Sequence, residues 1–224
     1  MLRSVLRSFN NVSLSGEQPI DRCLKLTTDG NVPVFPAVGN HDVPGSLDVN
    51  SPGRKQGLAH FLSAFRNFIP PDGSPRRLAG YPTYAVGYGN TFIIVIDSNI
   101  ADDSTQFAWV RDQLSGLNRQ RYQHVVIVLH HPAFSSGPHG GSIVERSTAA
   151  LRAMYMPLFR QYDVDLMLAG HEHLFEHWVE RYRDRSGKPV RLDQLVSGGG
   201  GAPLYGYRGE PDLRAYVQSS GVRS

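Results

Sequence analysis

Three short stretches hold the side chains best suited to chemistry. Gly39-Asn40-His41-Asp42 follows the apolar run Val32, Val34, Phe35, Ala37, Val38; His130-His131-Pro132 follows Val125 to Leu129; Gly170-His171-Glu172-His173 follows Leu166 to Ala169. Each run has the length of a buried strand, and each ends on nitrogen or oxygen donors that core packing does not require. In open α/β sheets ligands sit just beyond the carboxyl ends of the strands, so the three ends would face one crevice and share a metal site. Imidazole and amide-oxygen donors suit zinc, iron or manganese, and the lack of thiolates disfavours a structural zinc site. His171 and His173 are two residues apart, which puts both rings on one side of an extended segment and on nearly opposite sides of a helix. Such a pair serves one ion or two adjacent ones.

The elements that must position these stretches alternate between strand and helix, the pattern of an α/β fold. Leu58, Phe61, Leu62, Phe65 and Phe68 recur at helical spacing until Pro70-Pro71, after a stretch from Val43 to Arg54 whose Pro, Gly, Ser and Asn content reads as a long surface loop. Tyr84 to Val86 and Thr91 to Ile96 flank Gly87-Tyr88-Gly89-Asn90 as a β-hairpin whose second strand is buried on both faces. It ends on Asp97-Ser98-Asn99, where Asp97 is expected to bond nearby backbone amides. Asp103 followed by Gln106 starts a helix that buries Phe107, Val110, Leu114 and Leu117, and a helix from near Ser147 carries Leu151, Met154, Leu158 and Phe159 with a kink at Pro157. Trp178 to Tyr182 and Arg191 to Val196 read as strands joined through Ser186-Gly187-Lys188-Pro189. Gly198 to Gly201 reads as turn rather than phosphate cradle, because no Lys-Ser/Thr pair follows. Before the first motif, Leu2, Val5, Leu6 and Phe9 form one face of an amphipathic helix, Ser15 to Asn31 is loop-like, and Asn11-Val12-Ser13 fits a glycosylation sequon.

Composition narrows the classes. The 224 residues suit one domain, the net charge is +3, and the arginines are scattered rather than gathered. That argues against a dedicated nucleic-acid surface and suits a mildly positive mouth for anionic substrates. The single Cys23 excludes an intrachain disulfide. No apolar run reaches the roughly 20 residues of a membrane span. Compartment is not legible.

The three motifs, in this order and at these strand ends, resemble signature blocks of the calcineurin-like metallophosphoesterases, the superfamily that includes the purple acid phosphatases. The resemblance runs from about Val32 to about Tyr205 and takes in Gln106 to Trp109 and Gly198 to Gly201. It implies an α/β sandwich of two mixed sheets flanked by helices, and hydrolysis of phosphate mono- or diesters of small-molecule substrates by a metal-activated water at a dinuclear site. The metals implied are iron, zinc or manganese, two in the complete site. Asn40, His130 and His171 would hold one ion and His173 would reach the other, with His130 rather than His131 as ligand because it stands two residues before the proline. His131 would then support the site or pack beside it. His41 would lie beside the leaving oxygen as proton donor or charge brace, Asp42 would orient it, and His139 matches a second catalytic histidine of purple acid phosphatases.

The family's two earlier blocks, Asp-x-His and Gly-Asp-x-x-Asp, occur nowhere in this sequence. The chain therefore reads as a single phosphoesterase domain over residues 1–224 with its N-terminal strands missing, beginning just after the second block and holding at most the ion at Asn40, His130 and His171. A catalytically incomplete relative, or a fragment serving as a non-enzymatic binding scaffold, is the alternative. A second alternative lies in His173-Leu174-Phe175-Glu176-His177, which spells the H-x-x-E-H signature of zinc peptidases if it is helical. The remaining histidines, His60, His124 and His177, are expected to be structural.

Overall fold

The apolar runs at the centre of the chain lie side by side. In a computed structural model, which describes residues 33–43, 50–139, 145–184, 186–200 and 202–206, strands β2 (Thr91–Val95), β3 (His124–Val128), β4 (Leu166–Ala169) and β6 (Pro189–Ser197) run parallel. The antiparallel strands β1 (Tyr84–Tyr88) and β5 (Phe175–Arg183) close the two edges, giving the order β1-β2-β3-β4-β6-β5. All the described strands belong to this one mixed sheet. Its helices flank it, as the α/β reading requires.

Alternation along β2 feeds two apolar layers, since successive side chains of a strand point to opposite faces. Phe92 and Ile94 join Ile127, Met167, Leu151, Tyr155 and Phe159 on one side, whereas Ile93 and Val95 join Val38, Phe61, Phe65 and Tyr84 on the other. A parallel strand covered on both faces must be apolar throughout, which is why these runs are legible in the sequence.

Helix α1 (Pro52–Ala64) begins earlier than its apolar spacing suggests. Ser51 accepts the Arg54 N–H at 3.3 Å and Pro52 takes the first position, where its missing N–H costs nothing. The surface loop expected to reach Arg54 therefore stops short of it: Arg54 is buried and ion-paired with Asp97. In α2 (Ser104–Ser115) Asp103 caps the Gln106 N–H at 2.7 Å, and Val110 and Leu114 are buried as expected. The Gln106 side chain does not return to the cap. It turns inward, where its amide donates to the carbonyls of Asp97 at 3.0 Å and Ile100 at 3.3 Å. The third helical stretch is α3 (Arg146–Ala150), a π turn (Leu151–Tyr155) and α4 (Met156–Gln161). The widened turn sits just ahead of Pro157, which has no N–H to bond back with.

The run before Asn40 is not a strand. No ladder among the described residues includes 33–38, and Pro33 and Pro36 explain it, because each removes a donor that pairing needs. The segment is held by other means: Tyr84 donates its hydroxyl to the Pro36 carbonyl at 3.0 Å, and Asn99 Nδ2 reaches the Val38 carbonyl at 3.4 Å. The N-terminal helix, the loop to Asn31, the sequon and Cys23 lie outside the described residues. No described helix is long and apolar enough to cross a membrane.

Candidate metal centre

The site begins at the turn after β2. Asp97 accepts the Asn99 N–H at 3.0 Å, as expected of an aspartate at a turn, and caps the short helical turn Ser98–Ile100. Next to it, the Ser98 hydroxyl oxygen accepts the N–H of His130 at 3.2 Å and of His131 at 2.9 Å, and lies 2.9 Å from His131 Nδ1. With both lone pairs engaged, the hydroxyl donates to Nδ1 and the His131 proton sits on Nε2. His131 thus has no lone pair to give a metal, although its ring stands among the others.

Asn40, His130 and His171 do come together. His130 Nε2 lies 2.9 Å from Asn40 Oδ1 and 3.1 Å from His171 Nδ1. Burial, then the neighbouring His131, His171 and His41, hold the His130 pKa well below its ordinary value, so the ring is neutral. Three basic atoms meet here, and a single N–H joins only two of them; a cation satisfies all three, so the donor set fits a metal ion. Asn40 is brought to the meeting point by a tight turn in which Asp42 Oδ2 accepts the Gly39 N–H at 2.8 Å and the Asp42 N–H donates to the Gly39 carbonyl at 3.0 Å. Gly39 passes so close to His130 that a Cβ would stand 3.1 Å from its ring. His171 adopts φ +67°, a left-handed conformation that costs a non-glycine residue about 1–2 kcal/mol and turns the ring back over the end of β4.

The other expected residues surround this cluster. His41 is exposed at the tip of the same turn. His139 donates its N–H to Glu172 Oε1 at 2.9 Å, its Nδ1 lies 3.2 Å from Glu172 Oε2, and its ring centroid is 4.4 Å from that of His171. His173 stands apart from the cluster, stacked on Tyr205 at 4.4 Å with Nδ1 3.0 Å from the Pro203 carbonyl. A carbonyl only accepts, so Nδ1 carries the proton and Nε2 is left as the donor atom, the usual second bond of a metal-binding histidine. His60 and His124 are exposed. The H-x-x-E-H reading fails on geometry: it needs a helix, whereas His177 lies within strand β5 and bonds Asp193 of β6.

Two residues of the site went unrecognised in the sequence. Ser98 looked like turn, and Glu145 carried no motif. Glu145 Oε2 lies 3.2 Å from His171 Nε2 and 3.6 Å from His131 Nε2, and the adjacent His171 ring draws its pKa down to about 2 against the opposing effect of burial.

Comparison with known proteins decides the family. The profile of the calcineurin-like phosphoesterases matches residues 13–175, most of the chain. The chain belongs to this family. Among its relatives are the Fe(3+)-Zn(2+) purple acid phosphatase 12 of Arabidopsis thaliana, 27% identical over 143 residues, which are 62% of this chain and 28% of that protein, and a purple acid phosphatase of Glycine max, 32% identical over 95 residues, 42% of this chain and 20% of that one. The chain thus spans about a quarter of the length of the curated relatives it matches. A purple acid phosphatase from yellow lupin seeds shares the fold, with a TM-score of 0.58 at 20% identity over 79% of this chain and 33% of that one.

Two properties of this calcineurin-like phosphoesterase follow from its histidine cluster. Burial, then the adjacent His171, hold His131 down to about 3, and His130 is depressed in the same direction. Unfolded, both would take up a proton near about pH 6.5; folded, neither does until the solution is far more acidic. The unfolded state therefore binds more protons below that pH. The stabilisation is complete above it and is lost on acidification by up to about 1.4 kcal/mol per pH unit for each histidine. Urea midpoints of the metal-free protein are expected to fall steadily between about pH 7 and about pH 4, and a flat profile would contradict the buried neutral state. The second property is steric. The Gly198 N–H donates to the Leu174 carbonyl at 3.1 Å, and a Cβ on Gly198 would stand 1.8 Å from the Glu172 carbonyl oxygen. Gly198→Ala is expected to cost about 1–3 kcal/mol or more in urea denaturation, because backbone on both sides has to move.

Proposed function

We propose that this chain is a metal-dependent phosphoesterase that hydrolyses mono- or diesters of phosphate on small-molecule substrates. The observation that carries the reading is the placement of His130 Nε2 within hydrogen-bond distance of both Asn40 Oδ1 and His171 Nδ1, where a single N–H joins only two of the three atoms. These three residues would hold one ion, and His173, its Nδ1 tied to the Pro203 carbonyl, leaves Nε2 for the second ion of the family's dinuclear centre, whose acidic ligands this sequence does not supply. Iron, zinc and manganese all suit imidazole and amide oxygen, and the Arabidopsis relative carries iron and zinc in its name. Bound there, such ions acidify water and brace a phosphoryl group. The exposed His41 protonates the leaving oxygen or braces its developing charge. His139, anchored through its backbone on Glu172 and packed against the His171 ring, is the second catalytic histidine of this reading.

The test is to supply zinc, manganese and iron in turn and to follow hydrolysis of p-nitrophenyl phosphate and bis(p-nitrophenyl) phosphate. Hydrolysis should require metal, and His41→Ala should lower it by about 100-fold to 10,000-fold without changing metal content. Metal-independent hydrolysis, or no uptake of any of the three ions, would overturn the proposal.

A further inference from the structure

The two nitrogens of His171 face different company. Nδ1 points at His130 and Asn40, where the ion of the proposed function would sit, whereas Nε2 lies 3.2 Å from the carboxylate of Glu145. A neutral imidazole has one proton for two nitrogens, and an ionised carboxylate only accepts. Whichever nitrogen faces the carboxylate therefore keeps the proton, and the other keeps the lone pair.

A second imidazole stands beside the same carboxylate. Ser98 donates to His131 Nδ1 and so leaves the His131 proton on Nε2, which approaches the same Glu145 oxygen at 3.6 Å. Ser98 in turn is locked by the backbone N–H groups of His130 and His131. A chain of contacts thus runs from the turn after β2, through His131 and Glu145, to the far side of His171. We infer that Glu145 is a positioning residue that keeps His171 in its Nε2–H tautomer and so presents Nδ1 to the ion. The inference rests on the proposed metal site for its purpose, but the tautomer is a property of the metal-free chain.

This separation makes the test decisive. Nitrogen chemical shifts of 15N-histidine-labelled, metal-free protein should report Nε2–H at His171 in the parent and a population of Nδ1–H in Glu145→Ala, where Nδ1 is free to donate to His130 Nε2. Glu145→Gln keeps an acceptor oxygen and should retain the parent tautomer. Zinc affinity should fall by about 10-fold to 100-fold in Glu145→Ala, recover in Glu145→Gln, and fall no further when Glu145→Ala is added to His171→Ala, because Glu145 acts only through its contact with His171. Unchanged His171 shifts in Glu145→Ala would overturn the inference, as would an equal additional loss of affinity in the double variant. Shifts that change while no variant, nor the parent, binds zinc would leave the tautomer role standing and sink the metal reading instead.

Discussion

Asp97→Ala is expected to cost about 3–5 kcal/mol of folding stability. The guanidinium of Arg54 and the carboxylate of Asp97 are both buried, with side-chain exposures of 1% and 0%. Replacing the pair by apolar groups of similar size is often neutral, but removing one partner strands a charge where water cannot reach it. Asp97 also caps the Ser98–Ile100 turn through the Asn99 N–H, and loss of a cap adds about 1 kcal/mol. The damage should reach the histidines, because Ser98, the next residue, holds the backbone of both His130 and His131. Urea denaturation of Asp97→Ala beside the double variant Arg54→Met with Asp97→Leu checks the argument. The double variant should recover most of the loss, and a single variant within about 1 kcal/mol of the parent would show that the ion pair does not stabilise the fold.

His171→Ala is expected to weaken metal binding beyond the roughly 100-fold that bounds the loss of a supporting residue. It removes one of three converging donors and also the ring around which the others are packed, with centroids of His130, His131 and His139 at 4.9, 4.5 and 4.4 Å. Two donors, one of them an amide oxygen, hold a divalent ion much more weakly than three. Competition against a chromophoric zinc chelator measures the effect. His177→Ala is the control, since that side chain bonds Asp193 across the sheet and should leave affinity unchanged; affinity lost with His177 and kept without His171 would revive the peptidase reading.

How far the sequence leads depends on the range of the interactions involved. β2, β3 and β4 are legible because a strand buried on both faces is apolar at every position, and the cap at Asp103 is legible because its partner, the Gln106 N–H, is three residues away. The strand expected before Asn40 misleads because hydrophobicity outweighed the two prolines that deny it a ladder. Arg54 resembled a loop residue because its partner lies 43 positions further on. Glu145 had no recognisable spacing because it precedes a helix whereas its partner, His171, stands at the end of β4.

By itself the sequence determined the alternation of strand and helix, the three donor-bearing motifs and, through their order, the family. These are local facts, written in periodicity and in which residue types adjoin. Tertiary structure alone decided that Asn40, His130 and His171 meet, that His131 stands among them with its lone pair already used by Ser98, and that a carboxylate backs His171. Those outcomes depend on which nitrogen of a ring faces which neighbour, and that is set only when side chains from separate elements are packed together.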